Sequence, residues 1–178
     1  MPDRRIRDAT DADAAACAEI YAPYVTDTTV SFESEPPSAA EMALRIEAAQ
    51  RRHAWLVLEE GGRVEGYAYA GPFKERAAYR WACEVSVYLA PTRRGTGGGR
   101  ALYEALLARL AERGYRMAAA GMTQPNEPSA RLHAALGFEP VGTFRAVGWK
   151  HGAWRDVTWV QRPLGGAVGD GGQPPEPT

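Results

Sequence analysis

The chain has 178 residues, 45% apolar and 24% charged, the length and balance of one globular domain with a single core. Its 21 Lys and Arg against 22 Asp and Glu leave a net charge of −1, which argues against nucleic-acid binding through a large uniform positive field. No apolar run nears the roughly 20 residues of a bilayer span, the opening Met1–Arg5 has no signal-peptide core, and two distant cysteines with three scattered histidines argue against a zinc or disulfide scaffold; the expectation is a reduced, cytoplasmic protein without a metal.

In chain order, Thr10-Asp11-Ala12-Asp13 fits a capping box with Asp in place of Glu, opening a helix over Ala14–Ala22 that stops at Pro23. Ser38-Ala39-Ala40-Glu41 is a second capping box, and its helix offers Met42, Leu44, Ile46 and Ala49 for burial. Trp55–Leu58 and Val64–Ala70 read as strands joined by a turn at Glu60–Arg63, a hairpin. Ala82–Leu89 alternates strictly, with Cys83, Val85, Val87 and Leu89 on one face and Glu84, Ser86 and Tyr88 on the other. A loop through Pro91–Arg100 leads into a helix over Ala101–Arg113, striped by Leu102, Leu106 and Leu110 and ended by Gly114. Met117–Met122 is an Ala-rich strand candidate. Asn126-Glu127-Pro128 starts a helix that ends at Gly137. Strands over Glu139–Gly148 and Trp154–Arg162, turning at His151-Gly152, close the domain. This mixture predicts an α/β (α+β) fold with a mixed sheet over residues 1–164. The Gly- and Pro-rich residues 165–178 are expected to be a disordered tail.

The sharpest chemical signal is a strand, then Arg94-Gly95-Thr96-Gly97-Gly98-Gly99, then a helix. Glycines let the backbone approach a ligand and leave N–H groups pointing at it, and the helix N-terminus adds about half a positive charge. Together they favour a phosphate or diphosphate, with Arg93, Arg94 and Arg100 supplying mobile positive charge. A Walker loop needs Gly-Lys-Ser/Thr where this chain has Gly99-Arg100-Ala101. A GxGxxG loop started at Gly95 or Gly97 ends on Arg100 or Leu102, and no acidic residue lies near Ala119 to hold a ribose. The spacing that remains is R-x-x-G-x-G, at Arg94, Gly97 and Gly99.

That loop resembles the acetyl-CoA pyrophosphate loop of the GNAT acetyltransferase superfamily. Tyr69–Arg76 (YAGPFKER), Glu84–Tyr88 (EVSVY), Pro125–Ser129 (PNEPS), Leu132–Phe138 (LHAALGF) and Gly148–Val157 (GWKHGAWRDV) resemble its phosphinothricin and methionine-sulfoximine N-acetyltransferase branch. The resemblance runs from about Ile6 to Leu164. It implies a central twisted mixed sheet flanked by helices, acetyl-CoA as co-substrate and the α-amine of a small amino acid or analogue as acceptor. It also implies a homodimer built in part from Trp149–Trp159.

Residue roles follow from the same resemblance. Glu84 is the general base, directly or through water; burial among Trp81, Val85 and Val87 would raise its carboxyl toward neutrality. Ser86, Val87 and Tyr88 bond the pantetheine arm where the strand, bulged in the family, splays from its neighbour. The loop Arg93, Arg94, Gly95, Thr96, Gly97, Gly98, Gly99 and Arg100 holds the diphosphate, and Asn126 contacts the coenzyme. His133 stands where many relatives have a proton-donating Tyr for the departing sulfur. Lys74 and Arg76 hold the acceptor's polar groups, and Phe32 walls its pocket. Glu33 stands where some phosphinothricin-specialised relatives have Arg, which leans toward methionine sulfoximine or sulfone. Two other readings stay open: an acetyltransferase of protein or peptide amines, and a catalytically silent acyl-CoA-binding module. An intact Glu84 beside an intact loop argues against the last.

Overall fold

The computed structural model describes residues 4–165 and 172–178. Strand β1 (Arg4–Asp8) leads into helices α1 (Ala14–Thr26) and α2 (Ala39–Arg52), then strands β2 (Ala54–Glu60), β3 (Arg63–Pro72) and β4 (Ala82–Leu89). Helix α3 (Gly98–Glu112), β5 (Met117–Thr123), α4 (Glu127–Ala135), β6 (Glu139–Lys150) and β7 (Ala153–Pro163) follow. The strands form one seven-stranded sheet in the order β1-β2-β3-β4-β5-β7-β6. Among the described residues only β4 and β5 pair in parallel, and the remaining neighbours are antiparallel. The expected mixed sheet is therefore present.

Each face of the sheet has its own core, where composition led to the expectation of one. Leu102, Leu106 and Leu110 of α3 pack on Cys83, Val85 and Ala118. On the opposite face Cys17, Tyr21 and Val25 of α1 join Met42 and Ile46 of α2 over Trp55, Val57 and Tyr67. A central sheet with apolar residues on both faces needs a helical layer on each side.

Local chemistry accounts for most element ends. Ser38 and Glu41 close the capping box of α2, with the Ser38 N–H donating to Glu41 at 2.7 Å and the Glu41 N–H to Ser38 Oγ at 3.2 Å. The β2–β3 turn uses Gly61 and Gly62 at φ of 58° and 76°, the left-handed pair that a two-residue hairpin requires.

Three expectations need correction, and one strand was missed. Pro23 does not stop α1 but lies inside it; its ring costs one helical N–H, while burial of Tyr21, Tyr24 and Val25 carries the helix on to Thr26. Leu44 is exposed, because the buried stripe of α2 runs Met42, Ile46, Ala49 at spacings of four and three, and Leu44 falls off it. Helix α3 starts at Gly98 rather than Ala101, and strand β1 was not foreseen. In the tail, residues 166–171 lie outside the described residues. Residues 172–178 carry no helix or strand, but they lie against the domain: Trp81 Nε1 donates to the Pro175 carbonyl at 2.8 Å and the Thr178 N–H to Arg113 O at 3.0 Å.

Candidate active site

The parallel pairing of β4 with β5 covers only Ala82↔Met117, Cys83↔Ala118 and Glu84↔Ala119. Beyond Glu84 the two strands part. The gap is lined by Ser86, Val87 and Tyr88 on one side, by Gly121 and Thr123 on the other, and by Tyr103, Asn126 and His133 on the α3/α4 side. A more open hollow of about 670 Å³ adjoins it and shares Val30 and Asn126. The ladder of β3 with β4 runs unbroken from Gly66↔Leu89 to Pro72↔Cys83. The gap therefore comes from divergence of β4 and β5, and the bulge that the resemblance implied is not seen against β3. On its β5 side, the backbone of Ser86 to Tyr88 faces the gap without a strand partner, the state in which it can bond an extended ligand.

Glu84, Ser86 and Tyr88 share the face toward α1, where Tyr88 meets Tyr21 and Tyr24 edge-on at 4.9 and 5.0 Å. Glu84 sits at the point where the strands part. Burial pushes its carboxyl up from the ordinary value, and the Lys74 ammonium pulls it partly back. Among the described residues no side chain hydrogen-bonds that carboxylate, so its oxygens are free to accept a proton.

His133 reaches the gap from the α4 side and is buried. Its Nδ1 lies 2.8 Å from the Ser129 carbonyl oxygen and its Nε2 3.2 Å from the Tyr103 hydroxyl. A carbonyl only accepts, so the ring proton is on Nδ1 and Tyr103 donates to Nε2. Burial lowers the imidazole pKa, against the smaller effect of the Ser129 bond, and the ring is neutral near pH 7. Tyr103, which sequence reasoning missed, is thus part of the site. Its signal was a hydroxyl one position beside the Leu102-Leu106 stripe, a buried donor that must find a partner.

The loop after β4 has a backbone whose free amides can meet an anion. Gly95 and Gly97 hold φ of 77° and 80°, and Gly97 caps α3. Ala101 N–H bonds Gly97 O at 3.1 Å, which leaves the amides of Gly98, Gly99 and Arg100 as the unbonded first turn. The three loop arginines differ. Arg93 is ion-paired to Glu60, and Arg100 donates to Glu104 at 2.8 Å. The Arg94 guanidinium lies 4.9 Å over the Tyr24 ring. Thr96 turns its hydroxyl inward to Arg93 O at 2.8 Å. A Cβ at Gly98 would stand 2.9 Å from Leu58 Cδ2, whereas one at Gly97 would meet nothing within 4 Å. Packing demands the first glycine; conformation and ligand approach demand the second.

Asn126 caps α4, accepting from the Ser129 N–H at 3.2 Å, and also lines the gap. On the α1 side, Glu33 accepts from Arg45 at 2.6 and 3.1 Å and from the Tyr21 hydroxyl at 3.2 Å. The Phe32 ring lies against the bare Gly148 of β6, where a Cβ would stand 2.3 Å from it. Lys74 lies 5.2 Å over the Phe73 ring. Arg76 precedes a short turn at Ala77–Tyr79 and has no ion pair among the described residues. Two candidate half-sites result: Glu84, at the point where the strands part, feels the Lys74 ammonium, and Asn126 and His133 line the gap beside Ser86–Tyr88; Glu84, Lys74, Arg76, Phe32 and the glycine loop are not among the gap's lining residues.

Comparison with known proteins gives the family and the fold. The family model for an acetyltransferase (GNAT) domain matches residues 6–159. The phosphinothricin N-acetyltransferase of Streptomyces viridochromogenes is 44% identical over 164 residues, covering 90% of each chain. The L-methionine sulfoximine/L-methionine sulfone acetyltransferase of Salmonella typhimurium is 36% identical over 160 residues, covering 89% of this chain and 94% of that one. A GNAT superfamily phosphinothricin acetyltransferase from Sinorhizobium meliloti, crystallised in complex with AcCoA, superimposes with a TM-score of 0.90 at 42% identity, over 97% of this chain and 94% of that one.

Proposed function

Because the chain belongs to the GNAT family of acetyltransferases, we propose that its split sheet moves an acetyl group from acetyl-CoA to the α-amine of a small amino acid or analogue. The enzyme is an acetyl-CoA-dependent N-acetyltransferase, and acceptors of the phosphinothricin and methionine sulfoximine or sulfone type fit its relatives. The observation that carries the reading is the parting of β4 from β5 directly after Glu84, beside a glycine turn with free amides.

The coenzyme fits the residues present. Its diphosphate matches the amides of Gly98, Gly99 and Arg100 and the Arg94 charge. Its extended arm matches the unpaired edge of Ser86–Tyr88 and the Asn126 side of the gap. Bound there, acetyl-CoA supplies the activated acetyl group. The residues of the chain orient the acceptor and move protons. Lys74 and Arg76 supply cations for the acceptor's anionic or polar groups. Glu84 takes a proton from the ammonium, which its raised pKa and free oxygens suit.

Delivery of a proton by His133 to the sulfur would need the imidazolium, which burial disfavours. The neutral ring instead accepts from the Tyr103 hydroxyl at Nε2 and holds that hydroxyl in the wall of the gap, while the second amine proton passes to solvent. The sulfur then leaves as the thiolate. This gives His133 a positioning role in place of the proton donor of the sequence expectation.

The β6–β7 hairpin leaves Phe144, Val147, Trp149 and Trp154 exposed at one end of the sheet. Together with the resemblance, this supports a homodimer through that edge. A cytoplasmic site of action suits a reduced chain with two buried free thiols.

The deciding experiment is thiol release from acetyl-CoA with a panel of free amino acids, methionine sulfoximine, methionine sulfone, phosphinothricin and a peptide amine. Turnover of the free analogues by wild type, lost in Glu84→Ala, is expected. Turnover of the peptide alone would overturn the acceptor class, and binding without turnover would leave a silent module.

A further inference from the structure

Helix α1 sends one side chain to the base of the glycine turn. Tyr24 is buried; its hydroxyl donates to the Leu89 carbonyl at 2.8 Å and lies 3.4 Å from the Leu89 N–H. Leu89 is the last residue of β4, and its side chain lies under the turn. A Cβ added at Gly66, Gly98 or Gly99 would stand 2.4, 3.3 or 3.6 Å from it. The ring of the same Tyr24 carries the Arg94 guanidinium at 4.9 Å. One residue therefore touches both the last residue before the loop, through its hydroxyl, and the loop's Arg94, through its ring.

The way Arg94 is held differs from the way its neighbours are held. Glu60 neutralises Arg93 and Glu104 neutralises Arg100. A carboxylate partner would compete with a phosphate for the same guanidinium. An aromatic face holds a guanidinium by its quadrupole and dispersion while leaving the net charge and the N–H fork unspent. Resting on the proposed coenzyme site, we infer that Tyr24 is a positioning residue: it holds Arg94 as the uncommitted cation for the coenzyme diphosphate. The acceptor half-site is not involved.

The test is a double-variant cycle read by calorimetry with CoA itself, which binds without reacting. Tyr24→Leu should weaken CoA about ten-fold, the range of a partly desolvated cation–π contact. Arg94→Leu should weaken it at least as much. The double variant should stay within about two-fold of Arg94→Leu, because the ring acts through the arginine. Multiplied losses would overturn the inference. A second reading uses acetyl-pantetheine, which lacks the nucleotide and diphosphate. In Tyr24→Leu the ratio of kcat/KM for acetyl-CoA over acetyl-pantetheine should fall about ten-fold; an unchanged ratio means a general structural loss and also overturns it. If Tyr24→Leu does not fold, Tyr24→Phe decides. It keeps the ring, so CoA should bind within about three-fold of wild type, and a loss equal to that of Arg94→Leu would refute the platform role. Wild type that binds no CoA would instead defeat the coenzyme reading beneath.

Discussion

The Tyr103 hydroxyl donates to Nε2 of His133 at 3.2 Å, while Nδ1 of the same ring gives its proton to Ser129 O at 2.8 Å. The imidazole therefore holds the Tyr103 hydroxyl in the wall of the gap. Removing that support by His133→Ala is expected to lower kcat about 100-fold, the cost of a misplaced group beside the reacting atoms. Tyr103→Phe should reproduce most of the loss, and the double variant should add little, since the two act as one unit. Steady-state kinetics at saturating acetyl-CoA measures this. Losses that multiply would separate the two residues.

Glu84 gives a prediction in pH. Burial raises its pKa and Lys74 lowers it. The base must be ionised, so kcat/KM for the amine falls as pH drops through the raised Glu84 value. Lys74→Ala removes the lowering charge, so that acidic limb should move to higher pH, with a higher amine KM. Glu84→Gln should cost about 100- to 1,000-fold in kcat. A limb that stays in place in Lys74→Ala would rule out their electrostatic contact.

The same carboxyl carries a stability prediction. A group whose folded pKa lies above its unfolded value stabilises the fold at low pH and ceases to as pH rises through the folded value. At pH 8 Glu84 is a partly buried, ionised carboxylate without a hydrogen-bonding side chain. Glu84→Gln should then raise Tm at pH 8 and raise it less at pH 4, measured by calorimetry. A catalytic loss with a stability gain is the trade expected of a site residue; a lower Tm at pH 8 would mean that the carboxylate has a structural partner.

How far the sequence carries this site depends on the range of the contact. Alternation gives β4 to the residue, Ala82–Leu89, and Gly114 and Gly137 end their helices at φ of 94° and 78°, because those signals are local. The parting of β4 and β5 is not local. It depends on where two distant strands stop pairing, and neither Glu84 nor Ala119 carries a mark of it. The commitment of Arg93 to Glu60 spans 33 positions and leaves no trace in the loop motif. Tyr103 reads as one more core residue of α3 until His133 is placed opposite it. Pro23 misleads because tertiary burial outweighs one missing helical bond.

The exposed edge of the sheet yields a prediction about assembly. Trp149 and Trp154 are paired across β6 and β7, with rings 5.4 Å apart, and both are more than half exposed. Indole rings held in that way on a hairpin surface favour a partner that covers them. Sedimentation should find a dimer for the wild type and a monomer for Trp149→Glu/Trp154→Glu. A wild-type monomer at micromolar concentration would end the dimer proposal.

Neighbouring glycines of the turn should respond differently to the same kind of change. A Cβ at Gly97 meets nothing within 4 Å, but the residue holds φ of 80°, and in the proposed coenzyme site its Cβ would project toward the diphosphate. Gly97→Val is therefore expected to raise the acetyl-CoA KM more than ten-fold while leaving the amine KM within about two-fold, since the proposed acceptor groups Glu84 and Lys74 are separate from the turn. At Gly98 the added Cβ would stand 2.9 Å from Leu58 Cδ2 and 3.3 Å from Leu89 Cδ2. Gly98→Ala presses on the α3-side core and should lower Tm, with a destabilisation of about 1–3 kcal/mol from overpacking. Kinetics and thermal melts on the two variants distinguish ligand approach from packing. If Gly97→Val raised both KM values equally, the diphosphate would have to bind elsewhere, because a side chain on this turn reaches only what lies over the start of α3.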